Sequence, residues 1–165
     1  HLVTRDGEIA MLREHLATVA RLADRLVVLR ARLEPIMPID ADRMRSLDPD
    51  RDIDVLAFLK TFEQLEDTLG RTLKTIAMLM QLGKVERLTP RDVAQRAAAL
   101  GVIDDPKVWA DAVRVRNELA HEYPLRPDKQ AAQVNAAWEK SETLFATRLS
   151  IDNFVERERL LHGDI

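Results

Sequence analysis

"IDVLAFLKTFEQLEDTLGRTLKTIAMLM", residues 53–80, contains no proline and a single glycine. Its apolar residues Ile53, Leu56, Leu59, Phe62, Leu65, Leu69, Leu73, Ile76 and Met80 fall three or four positions apart. That spacing lines one face of an α-helix, because 3.6 residues make a turn. The stretch therefore predicts a helix of about seven turns that must bury one stripe along its whole length. Gly83 marks its stop, and Gly70 is a weak point inside it. A helix this long needs a partner of comparable length. Residues 5–33 supply one: Ile9, Leu12, Leu16, Val19, Leu22, Leu26, Leu29 and Leu33 keep the same rhythm until Pro35 and Pro38 interrupt it.

Working outward, "PIMPIDADRMRSLDPDRD" joins these two helices, with three prolines, five aspartates and no sustained periodicity. Residues 34–52 are expected to form a surface loop. Thr89 followed by Pro90 reads as an N-cap and first helical position, opening a short helix that ends at Gly101. Asp105 and Pro106 repeat that signal for a fourth helix, carrying Val108, Trp109, Ala112, Val113 and Leu119 up to Pro124. A fifth follows "PLRPDKQ", marked by Ala131, Val134, Leu144 and Leu149, and residues 151–165 are expected to trail from it as a charged extension. The sum is an all-α antiparallel bundle of about five helices in one domain, with its core in about 5–150.

Composition narrows the function classes. The 165 residues are 46% hydrophobic, 32% charged and 4% aromatic, with five glycines and no cysteine. Disulfides, thiolate zinc sites and cysteine nucleophiles are excluded together. The formal net charge of −3 argues against sequence-blind adhesion to nucleic acid, so any RNA contact must be local. Apolar runs are too short to cross a bilayer, and "HLVTRDGE" lacks the apolar core of a signal peptide, so a soluble cytoplasmic protein is expected. His1 in place of methionine reads as a trimmed or tagged terminus, and His1 and Leu2 carry no weight here. Phosphate-binding loops, dinucleotide fingerprints, zinc-binding HExxH and calcium loops are missing, so no metal or cofactor is expected. The acidic 40–54 stretch, interspersed with arginine, reads as a solvated loop, and Met78 and Met80 read as packing residues.

The end of the fourth helix is richer. "RNELAHEYP", residues 116–124, brings an arginine, an asparagine, a histidine and a tyrosine together before a proline. Asn117 and His121, four apart, share a face, whereas Arg116 and His121 stand roughly 140° apart around the axis. Pro124 disfavours the α region for Tyr123, which is expected to leave the helix and stand exposed near its end. In structural terms His121 complements the negative end of the helix dipole and the flanking charges solvate the surface. In chemical terms the set suits phosphate: a forked permanent cation, a side chain titrating near neutrality and a hydrogen-bonding amide. Of the other internal histidines, His15 lies within a helix among charges and His162 in the tail, neither with an obvious partner.

Arg116, four residues, His121, one residue, Tyr123 matches the R-x4-H-x-Y pattern of HEPN (higher eukaryotes and prokaryotes nucleotide-binding) domains and resembles the HepT-type toxins of toxin–antitoxin pairs. Asn117 after the arginine, the "FLKTFEQLEDTLGRTL" helix (58–73) and Trp109 ahead of the motif add to the likeness, which covers roughly residues 10–150. The resemblance implies a metal-independent endoribonuclease acting on RNA as a homodimer, with Arg116, Asn117 and His121 catalytic. It implies a partner antitoxin of the minimal nucleotidyltransferase class that attaches AMP to Tyr123. The same family holds noncatalytic members that bind nucleotides or assist a nucleotidyltransferase, and that alternative stays open.

Overall fold

The structure, a computed structural model, describes residues 5–80, 89–121 and 124–162. Six α-helices pack together, with no strand among the described residues: α1 Arg5–Leu33, α2 Ala41–Arg45, α3 Pro49–Leu79, α4 Pro90–Leu100, α5 Pro106–His121 and α6 Pro127–Arg157. A single 3-10 turn, Glu34–Ile36, follows α1. The all-α bundle anticipated from periodicity is present, with one more helix than expected.

α1 and α3 form the long pair. Contacts between them step in opposite directions along the two helices. The Arg5 side chain donates to the Leu79 carbonyl at 3.3 Å, Thr75 Oγ1 lies 3.8 Å from Met11 Sδ, Arg25 donates to Gln64 at 3.5 Å and Arg32 to Asp54 at 3.2 Å. The helices are thus antiparallel over their full length. Leu12, Leu26 and Leu33 of α1 meet Phe58, Phe62, Leu65, Leu69, Leu73 and Ile76 of α3 in a core closed by Leu144, Ile151 and Phe154 of α6. The buried stripe of α3 differs from expectation at its N-terminal end. Ile53 and Leu56 are 62% and 45% exposed, while Val55 and Phe58 are fully buried. Residues 53, 56 and 59 are compatible with one face, and so are 55, 58, 59 and 62. Packing selects the second set because it continues into Leu65 and Leu69 without a break.

The 34–52 stretch is not simply a surface loop. The Asp40 side chain accepts from the Arg43 amide at 2.8 Å and caps α2, and the Asp48 side chain caps α3 in the same way from 2.9 Å. α3 consequently begins at Pro49, earlier than its apolar pattern indicates. Ile39 and Met44 are buried, and α2 packs on α6. Asn135 of α6 fastens the segment: its Nδ2 donates to the Ile39 carbonyl at 2.8 Å and its Oδ1 accepts from the Ile39 amide at 2.9 Å. An amide side chain satisfying both backbone groups of one residue replaces a missing helix or sheet partner. Of the five aspartates that made this stretch read as coil, Asp40 and Asp48 are helix caps and the other three lie in the first turns that follow.

The C-terminal stretch also departs from expectation. Ile151, Phe154, Val155 and Leu160 are buried, and Arg13 of α1 donates to the Leu161 carbonyl. The 151–161 stretch thus sends one apolar face into the core and keeps its charged residues on the surface. α4 conforms closely to its sequence signals, with a reciprocal Thr89–Asp92 capping box and Gly101 in the left-handed conformation at φ 80°. It sits against α3 and α5. The expected stop at Gly83 lies outside the described residues.

Candidate active site

α5 owes its orientation to its apolar face. Trp109, Ala112 and Val115 are buried, and the turn between them and the chain end brings Arg116 against α3. The guanidinium is about one-third exposed and faces two adjacent carboxylates, with Nε 3.3 Å from Glu66 Oε2 and Nη2 3.5 Å from Asp67 Oδ1. Nη1 donates to Asn117 Oδ1 at 3.3 Å. The Nε contact is an ion pair without hydrogen-bond alignment, so this buried N–H has no aligned acceptor. Arg116 is therefore held largely by charge, with its Nε enclosed against Glu66.

These residues line a cleft of about 260 Å³ between α3, α4 and α5. Its polar wall carries Glu66, Asp67, Arg71, Lys74, Arg116 and Asn117, and its apolar wall carries Leu73, Val93, Trp109 and Val113. Gly70 forms part of the floor, where a methyl group would meet the Trp109 ring at 3.8 Å, an ordinary contact. Asp67 is shared between two arginines, since Arg71 Nε binds its other oxygen at 3.0 Å.

Glu66 is the most perturbed group in the cleft. Burial pushes its carboxyl from 4.5 up to about 7, against the opposing pull of Arg116 and with a further push from Asp67. Near neutrality it holds a proton part of the time. A titrating carboxyl beside a fixed cation in a cleft is the electrostatic pattern of reactive sites. The sequence contained its signal: Phe62, Glu66, Leu69 and Leu73 lie on the buried stripe of α3, so a carboxylate occupies a core position.

The structure brings some of the sequence-derived residues together and leaves others apart. Arg116 and Asn117 meet at the cleft. His121, the last residue of α5, is exposed and does not line it. Asn117 and His121 are both exposed one turn apart on α5, but only Asn117 lines the cleft. Glu118 is drawn to Arg114 at 3.0 Å, and Arg114 also reaches Asp111 at 3.9 Å. Tyr123, with its expected exit from the helix, lies outside the described residues. His15, which had no obvious partner in sequence, is half-buried on α1. Burial and Arg71 push its imidazole below 6.5, against the upward pull of Glu14 and Asp67. Its neutral form is the one this setting favours.

Among the described residues no group of three or more histidine, aspartate or glutamate side chains is arranged to hold a metal ion. No helix among them is long and apolar enough to cross a membrane. Scans of protein-family models, curated proteins and solved structures returned no match to the chain.

Proposed function

We propose that this chain is a HepT-like toxin: a metal-independent endoribonuclease, working in the cytoplasm as a homodimer and silenced by a minimal nucleotidyltransferase that attaches AMP to Tyr123. The observation that carries this reading is Arg116, a guanidinium held by Glu66 and Asp67 at the mouth of a cleft with Arg71, Lys74 and Asn117 on its walls. Cations gathered at one cleft suit a phosphodiester. RNA brings its own nucleophile. The 2′-OH attacks phosphorus and gives its proton to a base. The bond from phosphorus to the 5′-oxygen breaks, and an acid protonates that oxygen, leaving a 2′,3′-cyclic phosphate and a 5′-hydroxyl. Arg116 binds the nonbridging oxygens and offsets the charge that develops on them.

His121 serves as the proton-transfer group. It is exposed at the end of α5, and one imidazole fills one of the two roles at a time. A two-fold dimer that faces two α5 ends across a seam supplies both the base and the acid. AMP on Tyr123, two residues from His121, would add negative charge and bulk where the RNA phosphate enters.

The test is coexpression with a minimal nucleotidyltransferase, followed by peptide mass analysis and an RNA cleavage assay in chelator. Cleavage by the free protein, and its loss with an AMP increment on Tyr123, are the expected results. A protein inert on RNA and unmodified at Tyr123 would overturn the reading. A second reading, a noncatalytic nucleotide-binding or nucleotidyltransferase-partner HEPN protein, is favoured by the carboxylate pair on Arg116, which any phosphate must displace. It predicts that changes at Tyr123 alter complex formation while the free protein cleaves nothing.

A further inference from the structure

A second groove, of about 250 Å³, runs between α1 and α3 and is lined by Thr18, Arg21, Leu22, Arg25, Gln64, Asp67 and Thr68. Asp67 also lines the Arg116 cleft, so the two depressions meet at that residue. Arg21 and Arg25 stand one turn apart on α1, and both are exposed. Arg21 makes no ion pair or hydrogen bond with another described residue, and Arg25 has only the neutral Gln64 at 3.5 Å. Several surface arginines elsewhere are spent on carboxylates: Arg32 on Asp54, Arg45 on Asp42, Arg114 on Glu118, Arg126 on Asp128. In this groove two guanidiniums one turn apart stand without an ion pair of their own, and the one carboxylate lining it, Asp67, is engaged by Arg71 and Arg116.

The charge of the joined surface is opposite to that of the chain. Together the two depressions are lined by five cationic side chains, Arg21, Arg25, Arg71, Lys74 and Arg116, against two carboxylates, Glu66 and Asp67. Asp67 is neutralised by Arg71 and Arg116, and burial pushes Glu66 up to about 7, toward its neutral form. A protein with a formal net charge of −3 has thus gathered a positive track at one place. The neighbouring charges Asp24 and Glu14 are exposed on α1 but do not line the groove.

We infer that the α1–α3 groove binds the sugar–phosphate backbone of single-stranded RNA beside the scissile phosphate, with Arg21 and Arg25 on successive phosphates. The inference rests on the ribonuclease reading and deepens it by naming the strand's path. Thr68 Oγ1 spends its proton on the Gln64 carbonyl at 2.8 Å and offers the strand lone pairs only, so recognition in the groove rests on the two arginines. Thr18 adds a second hydroxyl. Shape and backbone contacts of this kind bind a strand with little base preference.

The experiment compares two probes on the full chain: a short single-stranded RNA, 2′-O-methylated against cleavage and long enough to leave the cleft, and a dinucleotide that fills the cleft alone. The double variant Arg21→Ala/Arg25→Ala is expected to weaken binding of the longer RNA by about tenfold or more. It should also flatten the dependence of log affinity on log salt by about 1.4, at roughly 0.7 per phosphate lost. Dinucleotide binding and cleavage should stay as in the parent. Arg43→Ala/Arg45→Ala, on α2, controls for generic loss of positive charge. Equal losses from the two double variants, or an unchanged salt slope, overturn the groove while leaving the ribonuclease reading standing. Failure of the parent protein to bind or cleave any RNA overturns both. Both arginines are exposed, and thermal melts establish that the variants fold.

Discussion

Nε of Arg116 lies 3.3 Å from a Glu66 oxygen that burial has made reluctant to ionise. The pair joins α5 to α3, and it makes the charge state of the cleft depend on pH near neutrality. When Glu66 is protonated, Asp67 at 3.5 Å is the remaining anion on the guanidinium, and an incoming phosphate has less to displace.

The pH dependence follows in sign. The folded Glu66 titrates at about 7 and the unfolded group near 4.5, so between those values the folded chain holds a proton that the unfolded chain has released. Stability contributed by this group is greatest below the window and falls as pH rises through it. Glu66→Gln removes the ionisable group. Its melting temperature should exceed the parent's by a margin that widens between about pH 5 and about pH 8, approaching the equivalent of about 3 kcal/mol. A margin that stays flat or narrows would show that the carboxylate is not held against its burial.

His121→Ala separates chemistry from folding. The side chain is exposed at the end of α5, so unfolding free energy should change by less than about 0.5 kcal/mol. RNA cleavage should fall about 10²- to 10⁴-fold. Undiminished cleavage by a purified, folded variant would remove His121 from the mechanism.

Gly70→Ala should stabilise the chain. The residue is interior to α3, where glycine costs about 0.5–1 kcal/mol relative to alanine, and the added methyl meets Trp109 at an ordinary distance. Denaturant titration should show a gain of that size. A loss would mean that the cleft floor cannot yield a few tenths of an ångström.

Arg30→Lys tests the α1–α6 junction. Arg30 donates to Ser141 Oγ, to the Trp138 carbonyl at 3.1 Å and to Glu142 at 2.8 Å, with its guanidinium 4.4 Å from the Trp138 ring centre. A lysine cannot reproduce the fork or the stack, and Ser141 is fully buried. Destabilisation of about 1–3 kcal/mol is expected, measured by thermal or denaturant unfolding. A neutral result would reduce the junction to surface decoration.

The sequence was most legible where one local rule had no competitor. α1 has a single apolar stripe, and its end at Leu33 agrees with the stop read from Pro35. Thr89–Pro90 and Gly101 bracket α4 because caps act through their own backbone. Legibility failed where a longer-range partner decided. Nothing local distinguishes Ile53 and Leu56 from Val55 and Phe58, and only the opposing helices choose between them. Ile39 and Met44 are buried by α6, nearly a hundred residues later, so the stretch around them looked like coil. In the candidate site, Arg116 and Asn117 stood out in the sequence as part of RNELAHEYP, whereas Glu66 and Asp67 did not, since they meet Arg116 only through the packing of α3 against α5. The raised ionisation of Glu66 belongs to no element alone.

The two bonds between Asn135 and the backbone of Ile39 span 96 positions of chain. During synthesis α1 and α3 are complete before Asn135 leaves the ribosome, and their antiparallel contacts do not require α6. The connection between them cannot settle at that stage, because the surface that covers Ile39 and Met44 does not yet exist. α6 is thus the piece that covers this connection, arriving upon a half-built bundle whose apolar flank stays exposed until then. A nascent chain of this design is most vulnerable to proteases and to association with its neighbours before α6 emerges.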